Sequence, residues 1–448
     1  MTNITVDFSK KTKKIKPMHS VNNGPVYKFA VDQRITNIDA YRAAGIPFAR
    51  THDASFFATY GGEHTVDVNF IFTDFDADPE DPASYDFALT DEYMRVIEHA
   101  NTEVFYRLGS KIEHWSKKYN TLPPKDFKKW AVICEHIIRH YNEGWADGFH
   151  MGIRYWEIWN EPDLDSDDSK HKRCWGGTKA EFFDFYEIAA KHLKSCFPSL
   201  KIGGPAVAGV REWARDFLNE MKKREVPIDF FSWHRYDCKV EGVQEKIRLA
   251  RAMMDEAGYT DAESILNEWN YVCGWEGDKW IDSLKAEKSL KGAAFTGAVM
   301  IMSQNEPLDN LMYYDARPCG MNGLFNTDNV SICLKGYYPF YMFGTLYRLG
   351  TAVESLSDDS DVYVLGATGE GKRAVMLTYY NDDGASPVKE VSLCLKNLGK
   401  KETKITYRRL DEALDCAKVW EERVTSDSVT VSLSLPLYTS YLVEIEEI

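Results

Sequence analysis

The chain has 448 residues, with 54 Lys and Arg against 69 Asp and Glu, a net charge of −15, and 44% hydrophobic residues. That composition excludes a disordered chain, and the acidity excludes nucleic acid as an expected partner, because phosphates would be repelled. The length suits two or three domains, or one large barrel with an accessory domain. The longest apolar run, about Gly292 to Met302, is far short of the ~20 residues that span a bilayer, so no membrane partner is expected. The N-terminus, MTNITVDFSKKTKKIKP, lacks the apolar stretch of a signal peptide. Nine scattered cysteines without a CxxC pair read as reduced thiols, which favours the cytoplasm, with secretion left open should a leader have been removed. Aromatics at 13% are compatible with sugar-stacking surfaces, as they are with a large core.

In chain order, Asn3–Phe8 alternates like a strand, and residues 1–17 are expected to join a sheet formed later in the chain. Residues 18–350 then alternate short apolar runs with amphipathic ones. Strands are expected over Met18–Asn22, Ile46–Thr51, Glu103–Leu108, Ile153–Trp159, Lys201–Gly204, Asp229–His234, Ser264–Trp269 and Asn310–Tyr314. Helices are expected over Thr90–Ala100, Pro124–Tyr141, Lys179–Cys196, Arg211–Arg224, Val243–Ala257 and Leu284–Ser303, with a capping-box spacing at Thr178 and Glu181. Eight strands alternating with helices predict a (β/α)8 barrel; a doubly wound open sheet shares this periodicity. From residue 351 to 448 the chain turns to short alternating runs, such as Ala374–Tyr380 and Tyr438–Ile445, split by turns such as Asn381-Asp-Asp-Gly384. These predict an antiparallel β-sandwich.

Two strands end alike. Tyr155-Trp-Glu-Ile-Trp-Asn-Glu-Pro-Asp163 runs into a proline that cannot continue a ladder, and Ser264-Ile-Leu-Asn-Glu-Trp-Asn270 ends at a glutamate between Asn and Trp. Glu161 and Glu268 are 107 residues apart, where three βα units occupy about 95, and more with long loops. That puts them after the fourth and seventh strands, on one rim. Two carboxylates flanking one cleft suit retaining glycoside hydrolysis, in which one protonates the leaving oxygen and the other attacks the anomeric carbon. The ionised nucleophile needs donors: Tyr236 is a candidate, and His234 is placed to touch sugar or carboxylate. The acid needs desolvation or a negative neighbour, and Trp156 or Trp159 could give apolar cover. Trp115, in the loop Gly109–Tyr119, could be a sugar platform or plain packing. His136 and His140 lie four apart on a helix without the order of a zinc protease, and no metal or cofactor is called for.

The W-N-E-P-D run, S-W-H-R-Y at Ser232–Tyr236 and N-E-W at Asn267–Trp269 resemble clan A glycoside hydrolases, and most nearly family 39, which includes β-xylosidases and α-L-iduronidases. The resemblance covers about residues 18–350 and implies Glu161 as acid/base, Glu268 as nucleophile and Asn160 near the sugar 2-hydroxyl. It also matches Arg50 to the clan's arginine beside the nucleophile and His52 to a sugar-contacting histidine, with a structural ion pair of Arg50 or Asp53 as the alternative. The eighth strand departs from it: Met312-Tyr-Tyr-Asp-Ala-Arg-Pro318 offers tyrosine where several clan members carry tryptophan. Tyr314 is therefore expected against the sugar, with Asp315 pairing Arg317. The implied activity is that of a retaining, β-xylosidase-like exo-glycosidase on pentose-containing oligosaccharides. Alternatives are an α-L-arabinosidase, a uronidase or a non-catalytic carbohydrate-binding protein. The sequence leaves open whether the chain forms a homo-oligomer.

Overall fold

A computed structural model describes residues 1–27, 35–52 and 65–448. After β1 (Thr2–Lys14), eight parallel strands close a barrel: β2 (Ser20–Asn22), β3 (Phe48–Thr51), β4 (Glu103–Leu108), β5 (Tyr155–Ile158), β6 (Lys201–Val207), β7 (Phe230–Asp237), β8 (Glu263–Tyr271) and β9 (Asn310–Tyr313). Closure is explicit, because β9 pairs back onto β2 through Ser20 with Met312 and Val21 with Tyr313. The open-sheet alternative is thereby excluded. The helices are α1 (Ile38–Ala44), α2 (Val68–Ile71), α3 (Ala88–His99), α4 (Phe127–Glu143), α5 (Lys179–Cys196), α6 (Glu212–Lys223), α7 (Val240–Glu256), α8 (Gly277–Glu287), α9 (Leu290–Asn305) and α10 (Tyr337–Leu349).

The second body is a nine-stranded sheet of β1 with β10 (Thr351–Ser357), β11 (Val362–Gly369), β12 (Lys372–Tyr379), β13 (Lys389–Lys396), β14 (Thr403–Leu410), β15 (Ala417–Val424), β16 (Ser428–Leu435) and β17 (Ser440–Glu447). Their order is β15-β14-β17-β12-β11-β10-β1-β13-β16. Every pairing among the strands of residues 351–448 is antiparallel, as expected, and β1, whose direction the sequence leaves open, lies antiparallel to β10 but parallel to β13. A strand entering from the far end of the chain is free to run in either direction. One face of this sheet, including Ile4, Val375, Leu393, Leu433 and Val443, gathers into its own core. The other face, through Ala374, Met376 and Leu442, joins the barrel's core.

The expected helix Leu284–Ser303 is two helices. It breaks at Lys288–Ser289, where the Ser289 hydroxyl accepts the Lys291 N–H and caps α9. Thereafter α9 is buried nearly all round, between barrel and sheet. This double burial explains why the longest apolar run of the chain lies here. At Gly297 a Cβ would stand 2.8 Å from Thr378 Oγ1, so glycine lets α9 lie against β12. Among the described residues no helix is long and apolar enough to cross a membrane.

Candidate active site

The strand period of two sets the barrel interior in layers. Phe48, Phe105, Tyr155, Phe230, Ile265 and Met312 point inward from six strands and form an apolar plug. Two residues further along β3, β5 and β8, the same faces carry Arg50, Glu157 and Asn267, all buried. Polar groups so deep must satisfy one another. Arg50 Nε donates to Glu157 Oε2 at 2.6 Å, its Nη1 to Asn22 Oδ1 at 3.0 Å and to Glu268 Oε1 at 2.9 Å, and its Nη2 to Asn160 Oδ1 at 2.6 Å. The Asn267 amide donates to Glu157.

Strict alternation would turn Glu268 out of the barrel, since Asn267 already points in. The register between β7 and β8 slips at this point: Trp233 faces Leu266, but His234 faces Glu268. This bulge turns Glu268 inward and leaves Trp269 packed on Phe295 and Tyr313. Glu268 Oε1 lies 2.8 Å from His52 Nε2 and 3.4 Å from His234 Nε2, and Oε2 accepts the Tyr236 hydroxyl at 2.9 Å. Burial alone would push the carboxyl up, but His234, His52 and Arg50 outweigh it and hold Glu268 well below the ordinary carboxylate value. The Tyr236 phenol, raised by burial and by Glu268, keeps its proton and so remains a donor.

Glu161 reaches the same space by a different device. Beyond β5, Trp159 and Glu161 both adopt left-handed backbone, with φ of 73° and 48°. Conformations of this kind cost roughly 1–3 kcal/mol each and persist where surroundings fix them. Here Trp159 N–H donates to the Leu108 carbonyl at 2.7 Å and Glu161 N–H to the Ala206 carbonyl at 2.9 Å. Glu161 Oε1 is 2.8 Å from His234 Nδ1, and Oε2 accepts the Cys174 thiol at 3.8 Å. Two residues on, Asp163 accepts the Ala208 N–H at 2.7 Å. Burial, with the neighbouring Glu161 charge, pushes its carboxyl up to about 7.

A cavity of about 800 Å³ opens over this pair, and His52, Asn160, Glu161, His234, Tyr236, Glu268 and Tyr314 all line it. The Tyr314 ring meets His52 edge-on at 5.4 Å. Arg50 does not line the cavity; it sits beneath, fully buried, and braces Glu268 and Asn160. Asp53 lies outside the described residues. Trp115 is 69% exposed and is not among the residues that line the cavity, to which its loop gives Ile112 and His114. The expected tryptophan cover is corrected. Trp156 stacks on Tyr106, and Trp159 packs among Trp130, Trp175 and Phe185 on the helix side. His234 and Cys174 are what touch Glu161. Arg317 is paired with Asp315 at 3.2 Å and is absent from the lining. His140 contacts Asp91 and the Trp145 carbonyl, and His136 the Val132 carbonyl, on the outer helix.

Sequence reading did not single out Asn22, Glu157, Cys174 or Asp163. For Glu157 a signal exists: a charged residue at an inward position two after an apolar one. Cys174 and Asp163 lie in loops and carry no such signal. Glu161, His234 and Glu268 each offer one ligand atom, all within 4.8 Å of one another, a set that could hold a cation. Arg50 Nη1 and His52 Nε2 already stand within 2.9 Å of that Glu268 carboxylate.

The sequence model of Glycosyl hydrolases family 39 matches residues 4–267 and stops one residue before Glu268. A β-xylosidase of Geobacillus stearothermophilus is 28% identical over 232 residues, covering 45% of this chain and 44% of that protein. A β-xylosidase of Caldicellulosiruptor saccharolyticus is 35% identical over 121 residues, covering 27% of this chain and 23% of that protein. The matched stretches thus span less than half of either curated relative. A solved glucosidase structure from Croceicoccus marinus superposes with a TM-score of 0.81 at 21% identity, covering 100% of this chain and 99% of that one. The barrel, the two rim glutamates and a family match over more than half the chain agree: this chain belongs to glycosyl hydrolases family 39.

Proposed function

We propose that the chain is a retaining exo-glycosidase of neutral pentosides, β-xylosidase-like, with Glu161 as acid/base and Glu268 as nucleophile. The carrying observation is that carboxylate oxygens of Glu161 and Glu268 lie within 4.8 Å of one another, with His234 touching both. Carboxyl groups about 5–5.5 Å apart leave no room for the water an inverting enzyme activates between them. Glu161 donates its proton to the glycosidic oxygen as a Glu268 oxygen bonds to the anomeric carbon and the aglycone leaves. Water then attacks that carbon, gives its proton to Glu161 and releases Glu268, so the configuration is retained. Arg50, His52, His234 and Tyr236 keep Glu268 ionised for the first step, and Asn160, held by Arg50, faces the cavity beside Glu161, placed to meet the sugar 2-hydroxyl.

The choice of sugar rests on the eighth strand. Tyr314 closes that side of the cavity with an aromatic ring, while Arg317, the arginine of the same strand end, is engaged with Asp315 and stands outside the lining. A pentopyranose, with nothing beyond C5, suits that wall. Both curated relatives named above are β-xylosidases. A panel of nitrophenyl xylosides, arabinosides, glucosides and uronides tests the reading. Fastest turnover is expected on a pentoside, and proton NMR should show the first product with the substrate's anomeric configuration. Faster turnover of uronides overturns the sugar assignment, and the opposite anomer overturns the mechanism.

A further inference from the structure

The cavity wall beside Glu161 is cationic, in a chain whose net charge is −15. Arg173 from the loop after β5, Arg211 from the loop after β6, Arg235 on β7 and Lys246 on α7 all line it. Among the described residues, the only lining carboxylate beyond Glu161 and Glu268 is Glu276. These cations are not equivalent. Arg173 is clamped by Asp165, with Nη2 to Oδ1 at 2.8 Å and Nε to Oδ2 at 3.1 Å, and Arg235 is held by Asp237. No described carboxylate lies in ion-pair reach of Arg211, and Lys246 has only the exposed Glu245 at 3.6 Å.

The wall's place relative to the chemistry follows from its hydrogen bonds. Arg173 adjoins Cys174, whose thiol donates to Glu161, and the segment leading to Arg211 is tied to the acid's own turn through Glu161 N–H to Ala206 and Ala208 N–H to Asp163. Tyr314 and His52 lie on the Glu268 side, His52 Nε2 being 2.8 Å from Glu268 and its ring edge-on to Tyr314. The acid protonates the oxygen that departs, so a departing sugar leaves on the Glu161 side, where the segments of Arg173 and Arg211 stand. Arginine's planar fork matches a carboxylate or sulfate, lysine adds a point charge, and a cleft of one sign concentrates ligands of the other.

We infer that this wall is a leaving-group subsite for an anionic sugar, a uronate or a sulfated residue, with Arg211 and Lys246 as the cations that recognise it. The inference rests on the glycosidase reading above and names the substrate class that reading leaves unspecified. The test compares kcat/KM on three β-xylosides of one linkage, whose aglycones are glucose, glucuronate and glucose 6-sulfate. An anionic aglycone should be preferred about tenfold over glucose, the worth of one charge-assisted hydrogen bond. Added salt should shrink the preference, and Arg211→Ala with Lys246→Ala should bring the ratio to about one. Preference for glucuronate alone assigns a carboxylate subsite, and for the 6-sulfate alone a sulfate subsite. Equal or faster turnover of the glucose compound by the unmodified enzyme overturns the inference. So does a preference that the double variant keeps. Nitrophenyl xyloside serves as the separate control: its turnover with no anionic preference sinks only this subsite, whereas no turnover of any glycoside in the panel sinks the glycosidase reading and the subsite with it.

Discussion

Arg50 is the residue on which the site's geometry depends. Its guanidinium is fully buried, and although burial alone would lower its pKa, Glu157 and Glu268 raise it, so the charge persists. Removing one partner of a buried ion pair costs about 3–5 kcal/mol, because the other charge is left uncompensated. Arg50→Met should therefore lower the free energy of unfolding, measured in urea, by that order and abolish turnover; a variant with normal stability would show that the network is not structural. The two glutamates should fail differently. Glu161→Ala is expected to keep some glycosylation of substrates with good leaving groups and to yield a glycosyl azide of retained configuration when azide is added, while Glu268→Ala loses every substrate. Asp163 supplies a pH test. It ionises only as pH rises through about 7, which adds a negative charge two residues from Glu161. Asp163→Asn keeps an acceptor for Ala208 N–H but removes that charge, so the alkaline limb of kcat/KM should move to lower pH. An unmoved limb would exclude coupling between the two. Both glutamates were legible in the sequence as carboxylates at strand exits. The backbone that turns them into one cleft was not, because it is left-handed at Trp159 and Glu161 and bulged in β8, neither of which periodicity encodes.

Among the elements, all eight barrel strands were legible, because buried parallel strands leave short, dense apolar runs between capped helices. The capping box at Thr178 and Glu181 fixed the start of α5 as expected. What escaped was local termination. The expected start at Thr90 lies inside α3, where that hydroxyl instead donates to the Thr65 carbonyl, and β10 and β15 were not read as strands. The α8–α9 break escaped too, and it buries the last residue of α8. Glu287 is only 1% exposed, and neither of its carboxylate oxygens has a hydrogen-bond partner among the described residues. Burial, opposed weakly by Lys288, pushes its carboxyl up to about 9, and Tyr313 of β9 lies close enough to feel its charge. The folded state therefore holds a proton that the unfolded chain releases near its ordinary value of 4.5. Below that value the contribution to stability is complete, and it is lost as pH rises toward 9, at about 1.4 kcal/mol per pH unit. Glu287→Gln should be less stable than the unmodified protein at acid pH relative to its standing at pH 8. Parallel stability curves for the two proteins, measured by urea unfolding from pH 5 to 9, would show that Glu287 is not buried without a partner.

At the scale of the molecule, the chain's two ends meet in one sheet. The alternation of Asn3–Phe8 was legible as a strand joining the later sheet, but its place within that sheet was not, since period two gives no partner. The structure puts β1 in the interior, between β10 and β13, with Thr2 facing Val391 and Ile4 facing both Leu393 and Ser357. Without β1, the pair β13–β16 would be a two-stranded ribbon with no third strand, and isolated strand pairs are marginal in water. The strands β11 and β12 have a different role: one of their faces lies in the sheet's own core and the other against α9 and α10. A shared wall of this kind makes melting of the sheet expose barrel core as well. We therefore expect residues 1–17, 18–350 and 351–448 to unfold in one transition, coincident by tryptophan fluorescence and far-ultraviolet circular dichroism. Deleting residues 2–14 should remove hydrogen-exchange protection from β13 and β16 first, while β12 and β17, still paired with each other, keep theirs. If the shortened chain unfolds at the same temperature with unchanged protection in β13, then β1 is an appendage to the sheet, and the barrel and the sheet are independent bodies.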